Sequence, residues 1–252
     1  MLNIAPNAFR GLSVDPADLP DRPEDLDAAL GEALPSWADA GYPVAWLEIP
    51  RAKAALIPVA VARGFEFHHA TPAYVMLTYA LDPQAFIPPH TTHTIGAGGV
   101  VLNEHQELLV VVEKASAAKR PHYYKLPGGA LLQGEHLVDG VIREVREETG
   151  IETEFEALVC FRHWHGYRFG KSDIYFVCRL RPLTTEIVMQ EDEIAECRWL
   201  PIAAFLSHPE IGLFNKRIVQ AALHGKGLIP AHLEGYAPPG ERELFWPIGF
   251  LP

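Results

Sequence analysis

The residues from Gly129 to Ile151, GALLQGEHLVDGVIREVREETGI, gather acids and an arginine at helical spacing between glycines. Glu144, Glu147 and Glu148 stand at i, i+3 and i+4, so a helix places them on one stripe. Like charges at that spacing destabilise a helix, and a chain that collects them is expected to hold a cation there. Carboxylate oxygens are hard ligands that suit Mg2+ or Mn2+, and Mg2+ commonly links a few carboxylates to substrate phosphates. Arg143 can pair with Glu147 one turn on and hold it in place. Gly150 suits a left-handed helix C-cap, and Gly128-Gly129 a tight turn whose carbonyl could reach the metal. A solvated acidic helix with Arg143 as a stabilising partner would explain the charges but not the flanking glycines at fixed gaps.

The elements that must position this helix follow from hydrophobic periodicity. Leu137, Val138, Val141, Ile142 and Val145 form an apolar stripe beside the acids that should face a core. Strands are expected near Ile95–Leu102, Leu108–Glu113, Ala157–Arg162, Asp173–Leu180, Glu186–Met189 and Glu196–Leu200, with a last helix near Leu213–Leu223. A polar loop, KASAAKRPHYY, precedes the acidic helix. Upstream, Leu26, Leu30, Ala33, Leu34 and Trp37 recur at helical spacing over Pro23–Ala38, and Ala52–Arg63 reads as a second helix. Val44–Ile49, Glu66–His68 and Ala73–Leu81 read as strands. The proline-rich, aperiodic stretch Asp82–Thr92 reads as a linker. The expected organisation is an α/β domain over residues 1–90, a second α/β domain over 91–226 that carries the acidic helix, and an irregular tail over 227–252, punctuated by Pro230, Pro238, Pro239, Pro247 and Pro252 and packed by its aromatics.

A chain of 252 residues with 48% hydrophobic content can fill a sizeable core. Its net charge of −11 argues against nucleic-acid backbones and anionic membranes as partners. It also sits badly with a phosphate-bearing substrate, unless bound cations dominate the local field. Cys160, Cys178 and Cys197 lie in apolar, strand-like runs without metal-ligand spacing and read as buried free thiols of a reducing, cytoplasmic compartment. The N-terminal residues show neither the basic flank nor the apolar run of a targeting segment.

Written out, the acidic stretch reads G-x5-E-x7-R-E-U-x-E-E-x-G-U, where U is a bulky aliphatic residue. Gly129, Glu135, Arg143, Glu144, Val145, Glu147, Glu148, Gly150 and Ile151 fill its fixed positions. This resembles the Nudix box at every position, and the resemblance extends over residues 92 to about 225. WLEIPRAK, GFEFHH and TPAYVMLTY before the box, and FGKSDIYFVCRL, QEDEI and Cys197-Arg198-Trp199 after it, are similar to a eukaryotic subgroup. That subgroup includes plant ADP-ribose and NADH pyrophosphatases and the human antisense fibroblast-growth-factor Nudix protein. The resemblance implies an α/β/α sandwich with a mixed sheet, preceded by a small α/β domain similar to a reduced acetyltransferase-like fold.

The same resemblance implies roles. Gly128, through its carbonyl, and Glu144, Glu147 and Glu148 are implied metal ligands, with Glu135 as support from the helix start. Arg143 orients a carboxylate through a salt bridge, and Glu144 or an acid among Glu191, Asp192, Glu193 and Glu196 serves as general base. The implied reaction is Mg2+- or Mn2+-dependent hydrolysis of the diphosphate linkage in a nucleoside diphosphate derivative, with ADP-ribose or NADH foremost. Trp164, Tyr167 and Phe169, beside His163 and His165, could stack a ring of such a small-molecule substrate, and Lys171 could contact its phosphates. Packing of a surface loop is the competing reading, and Tyr123 and Tyr124 carry the same two alternatives. His68, His69, His90 and His93 lack a carboxylate or cysteine set nearby and read as structural or solvent-exposed.

Substrate markers of several subgroups are absent. Gly166 stands where one ADP-ribose subgroup has a proline, and neither the SQPWPFPxS signature nor the upstream motif of coenzyme A diphosphatases occurs. Hydrolysis of a nucleoside triphosphate or coenzyme A, or a non-catalytic nucleotide-binding regulator, are therefore the alternatives. The N-terminal part is expected to shape the substrate entrance or a homodimer interface, without acyltransferase activity, since residues 1–90 contain no glycine-rich pyrophosphate loop.

Overall fold

The computed structural model describes residues 2–236 and 240–249, in two compact units that divide after Thr92. In the first unit β1 (Ile4–Pro6), β2 (Leu12–Val14), α1 (Pro23–Asp39), β3 (Val44–Pro50), α2 (Ile57–Ala62), β4 (Glu66–Ala70) and β5 (Tyr74–Ala80) follow in chain order. The strands form one sheet in the order β1-β2-β3-β5-β4, parallel only between β2 and β3. Leu26, Leu30 and Trp37 of α1 join Leu47, Ile49 and Leu77 of the sheet in a single core. The helix expected over Ala52–Arg63 divides into a 3-10 segment, Arg51–Leu56, and α2. Pro58, in the first turn of α2, has no N–H to donate backwards, so a regular helix restarts there rather than running through.

The second unit contains β6 (His93–Val101), β7 (Glu107–Glu113), α3 (Lys114–Ala117), β8 (Gly128–Ala130), α4 (Leu137–Thr149), β9 (Thr153–Trp164), β10 (Ser172–Pro182), β11 (Ile194–Pro201), α5 (Ile202–Ser207), α6 (Leu213–His224), β12 (Leu228–Pro230) and β13 (Phe245–Pro247). Its main sheet runs β13-β12-β9-β10-β6-β8, and β7 pairs separately with β11. The sheet is mixed, because β6 and β10 are parallel while β9, β8 and β12 join antiparallel. Strand alternation sends neighbouring residues to opposite faces. Val101 and Cys178 thus pack with Leu137, Val141 and Val145 of α4. Val100 and Val177 pack with Phe205 of α5 and Ile218 of α6. Helices on both faces make an α/β/α sandwich, with α4 pressed against β6 and β8.

Three further expectations change. Glu186–Met189 is not a strand. Instead Val188 donates its N–H to Thr149 O at 2.9 Å and Gln190 to Glu148 O at 3.2 Å, which satisfies carbonyls left open at the end of α4. Gly128-Gly129 forms no tight turn, because both glycines lie in β8, in register with Gly98 and Ala97 of β6. The tail from Gly227 is not wholly irregular: β12 and β13 pair, β12 extends the main sheet through Leu158, and Phe245 packs 5.9 Å from Phe155. Pro238, Pro239 and Pro252 lie outside the described residues.

Candidate active site

The acidic helix α4 is held at both ends by distant parts of the chain. No side chain within its own first turn caps it. Glu243 instead accepts the N–H of Leu137 at 2.6 Å and that of Val138 at 3.1 Å, placing a carboxylate at the positive end of the helix. At the other end Gly150 adopts φ 72° and closes on Arg146 O, a left-handed cap that a side chain would strain.

Arg143 organises the polar face. Its Nε and Nη2 donate to the two oxygens of Glu135 at 2.6 and 2.9 Å, a bidentate pair. Its Nη1 donates to Glu144 at 2.8 Å and to Glu147 at 2.9 Å, and Nη2 also reaches Ala130 O at 3.2 Å. These bonds keep the guanidinium charged and hold the Glu135 carboxyl below its usual range. One arginine therefore ties α4, the turn before it and β8 together.

Glu148 lies deeper in the protein. Only 6% of it is exposed, and one carboxylate oxygen accepts the Gly128 N–H at 3.0 Å. Burial pushes its pKa up to about 7, with the nearby Glu144 and Glu113 adding to the rise and Lys125 and the Gly128 N–H opposing it. Glycine at 128 and 129 is what permits this proximity. Gly128 has φ 148°, and a Cβ there would stand 2.2 Å from Ala97 O; a Cβ on Gly129 would stand 2.5 Å from Glu144 Oε2.

A cavity of about 600 Å3 opens beside β8. Gly128, Gly129 and Ala130 form one side, Glu113, Tyr123 and Lys125 another, and Lys125 is ion-paired with Glu113. Arg162, Trp164, Tyr167 and Phe169 line the opposite side with Asp173 and Phe214. The Trp164 and Tyr167 rings lie 5.1 Å apart, and Phe169 is 94% exposed. The space thus has a carboxylate-backed glycine strand at one side and aromatic faces at the other.

Comparison with known proteins gives the same assignment for both units. A family profile described as "Nudix hydrolase domain" matches residues 2–81, and one described as "NUDIX domain" matches residues 92–222. The chain belongs to the Nudix hydrolase family. It is 39% identical over 213 residues to Nudix hydrolase 8 of Arabidopsis thaliana, covering 84% of this chain and 58% of that protein. It is 38% identical over 235 residues to Nudix hydrolase 2 of the same plant, covering 90% of this chain and 84% of that protein. With human nucleoside diphosphate-linked moiety X motif 6 it shares 33% identity over 225 residues, covering 86% of this chain and 70% of that protein. Family membership and an intact box make the chain an enzyme of the Nudix pyrophosphatase class.

The structure distributes the Nudix-box acids unequally. Glu144 and Glu147 share Arg143, whereas Glu148 is separately buried behind Gly128. Among the described residues no group of three His, Cys, Asp or Glu side chains is assembled for a metal ion. The oxygen donors of Glu144, Glu147 and Glu148 still fit a hard divalent cation by chemistry, and an ion that keeps open positions for substrate oxygens needs no closed protein cage. Trp164, Tyr167 and Phe169 reach the cavity, but Lys171 does not line it; its backbone closes the loop on Tyr167 and Arg168. Tyr123 lines the cavity, while Tyr124 is buried and donates to Glu196 at 3.0 Å. Glu191, Asp192 and Glu193 lie in the turn before β11, and neither they nor Glu196 line the cavity.

The histidines form two small sets. His68 and His69 meet at 2.7 Å, with His90 stacked on His69, while His93 meets His163 at 2.9 Å. All three cysteines are free. Cys178 is buried and the other two half-buried, and burial raises each thiol pKa. Sequence reasoning missed Glu113, Lys125, Arg162 and Asp173. Glu113, Arg162 and Asp173 each lie at or near the end of a recognisable strand, where a charge closing an apolar run was the available signal; Lys125 follows the polar loop, forms an isolated bridge with Val111, and carried no such signal.

Proposed function

We propose that this protein hydrolyses the diphosphate linkage of a nucleoside diphosphate derivative with Mg2+ or Mn2+, and that ADP-ribose or NADH is the preferred substrate. The observation that carries this reading is the contiguity of the glycine strand β8, backed by Glu144 and Glu148, with an aromatic-lined cavity. The first suits a diphosphate and the second a flat ring. Glu144, Glu147 and Glu148, with the Gly128 carbonyl, would hold the cations. When bound, these lower the pKa of an attacking water and neutralise charge gathering on the phosphates.

The remaining work falls to the chain. Arg143 fixes Glu144 and Glu147 so that their oxygens need little reorganisation when substrate arrives. Glu144, whose carboxylate lies directly behind Gly129 of the cavity wall, takes a proton as general base. Trp164 and Tyr167 stack the base or nicotinamide ring. The three free thiols agree with a reducing, cytoplasmic setting, and no helix among the described residues is long and apolar enough to cross a membrane.

A panel of ADP-ribose, NADH, coenzyme A and nucleoside triphosphates, assayed with Mg2+ and with Mn2+, tests the assignment. ADP-ribose or NADH should show the highest kcat/KM, and ADP-ribose should yield AMP and ribose 5-phosphate. A triphosphate or coenzyme A in first place would overturn the substrate and leave the reaction class standing. Full activity in excess EDTA would overturn the metal requirement.

A further inference from the structure

Arg162 lies near the end of β9 and lines the cavity together with the glycines of β8, three strands away in the sheet. Its guanidinium carbon stands 5.1 Å from the Trp164 ring, 5.5 Å from Tyr175 and 5.3 Å from Phe214, so three aromatic faces from β9, β10 and α6 surround it. Aromatic faces attract a guanidinium and restrict its motion without using up its N–H donors. Asp173, itself 6% exposed, accepts from Nη2 at 2.6 Å through one oxygen, while its other oxygen is occupied by Thr94 Oγ1 at 2.8 Å. The pair is thus monodentate where arginine and carboxylate could have paired at two points. Nε is buried with no acceptor, yet 31% of the side chain remains exposed beside the cavity. A restrained cation with unspent Nη donors at a site for an anionic ligand is a costly arrangement for mere packing, since buried polar groups are ordinarily satisfied.

We propose that Arg162 is a specificity-determining residue that donates through its Nη groups to a phosphoryl oxygen of the bound nucleoside diphosphate, on the side of the diphosphate away from the Nudix-box carboxylates. The inference rests on the proposed substrate class and adds its second point of attachment. Of the other cations lining that space, Lys125 is committed to Glu113 and Arg168 stands 5.5 Å from the Tyr167 ring. Asp173, Thr94 and the three rings act as the mount that aims the guanidinium. An interaction with a phosphate already charged in the ground state acts on binding and transition state alike, so its loss should appear in KM.

The test combines Arg162→Met, which keeps an apolar stem among the rings, with Arg162→Lys, which keeps the charge and loses the fork. Hydrogen bonds to a charged group support an expected rise in KM for ADP-ribose of about 10–100-fold in Arg162→Met, with kcat within about threefold of the parent. Arg162→Lys should recover part of that loss. Isothermal titration of ADP-ribose into EDTA-treated protein supplies a readout free of turnover, and affinity there should fall in the same order. If Arg162→Met does not fold by circular dichroism, Arg162→Lys decides alone, with a KM increase of at least about threefold expected. A folded variant with parental KM and parental titration would overturn the proposal, even where the diphosphate activity stands. Absence of diphosphate hydrolysis by the parent would overturn the substrate reading, whereas titration of Arg162→Met would still decide whether the arginine binds the anion.

Discussion

Removing the charge of Glu148 should stabilise the metal-free protein while abolishing its activity. The carboxyl is buried and its pKa is moved from 4.5 to about 7, with burial as the main cause. The fold therefore prefers the protonated acid. Its contribution to stability is fully present below pH 4.5 and is lost as the pH rises through about 7. At about 1.4 kcal/mol per tenfold change in acidity, the ionised form costs the native state about 3 kcal/mol at pH 8, an upper figure because local relaxation softens it. Glu148→Gln is nearly isosteric and its amide oxygen can still accept the Gly128 N–H. In EDTA at pH 8 the variant should melt about 5–10 °C above the parent, and between pH 4.5 and 7.5 its stability curve should lack the parent's downward slope. Adding Mg2+ should raise the parent's melting temperature more than the variant's. Parallel pH curves for the two proteins, or a variant less stable than the parent at pH 8, would refute the reasoning.

Glu147→Gln should leave the circular dichroism spectrum unchanged and cut turnover at least about a hundredfold, the scale expected on losing one strong electrostatic element of a preorganised site; parental turnover would show that this carboxylate takes no part. Trp164→Ala should raise KM for ADP-ribose or NADH more than it lowers kcat, because ring stacking acts on ground and transition states alike, and an effect confined to kcat would contradict stacking. Gly128→Ala should fail to accumulate as folded protein or lose several kcal/mol in urea denaturation, since its Cβ would meet Ala97 O at 2.2 Å on a backbone with φ 148°; a stability within about 0.5 kcal/mol of the parent would mean that β8 can move away from β6.

The Nudix box was legible in the sequence because its spacing is local. Helical periodicity alone places Glu144, Glu147 and Glu148 on one stripe and Leu137, Val141 and Val145 against the core, and the left-handed Gly150 cap follows from glycine's freedom at positive φ. Most strands of the sandwich were legible for the same reason. What escaped was set by long-range pairing. The Glu186–Met189 segment has strand composition, yet the amides of Val188 and of Gln190 just beyond it bind the open carbonyls of α4. Gly128-Gly129 has turn composition, yet β6 recruits it as a strand. Arg162 sits in a recognisable strand, but nothing local says that Trp164, Tyr175 and Phe214 will surround its guanidinium. Lys171, charged and beside the aromatic loop, could by sequence contact phosphates or merely belong to that loop; its backbone closes the loop on Tyr167 and Arg168, and it does not line the cavity.

Glu243 sets an order of events in biosynthesis. It lies 106 residues beyond Leu137, whose N–H it receives. On a ribosome that extends the chain at about 5–20 residues per second, the acidic helix emerges several seconds before its N-terminal partner. During that interval the carboxylates of α4 repel one another on a helix whose start is uncapped. The cap of α4 is therefore completed late, after every strand but β13 and both helical layers have been made, and a nascent chain that has displayed its whole Nudix box is not yet a finished enzyme.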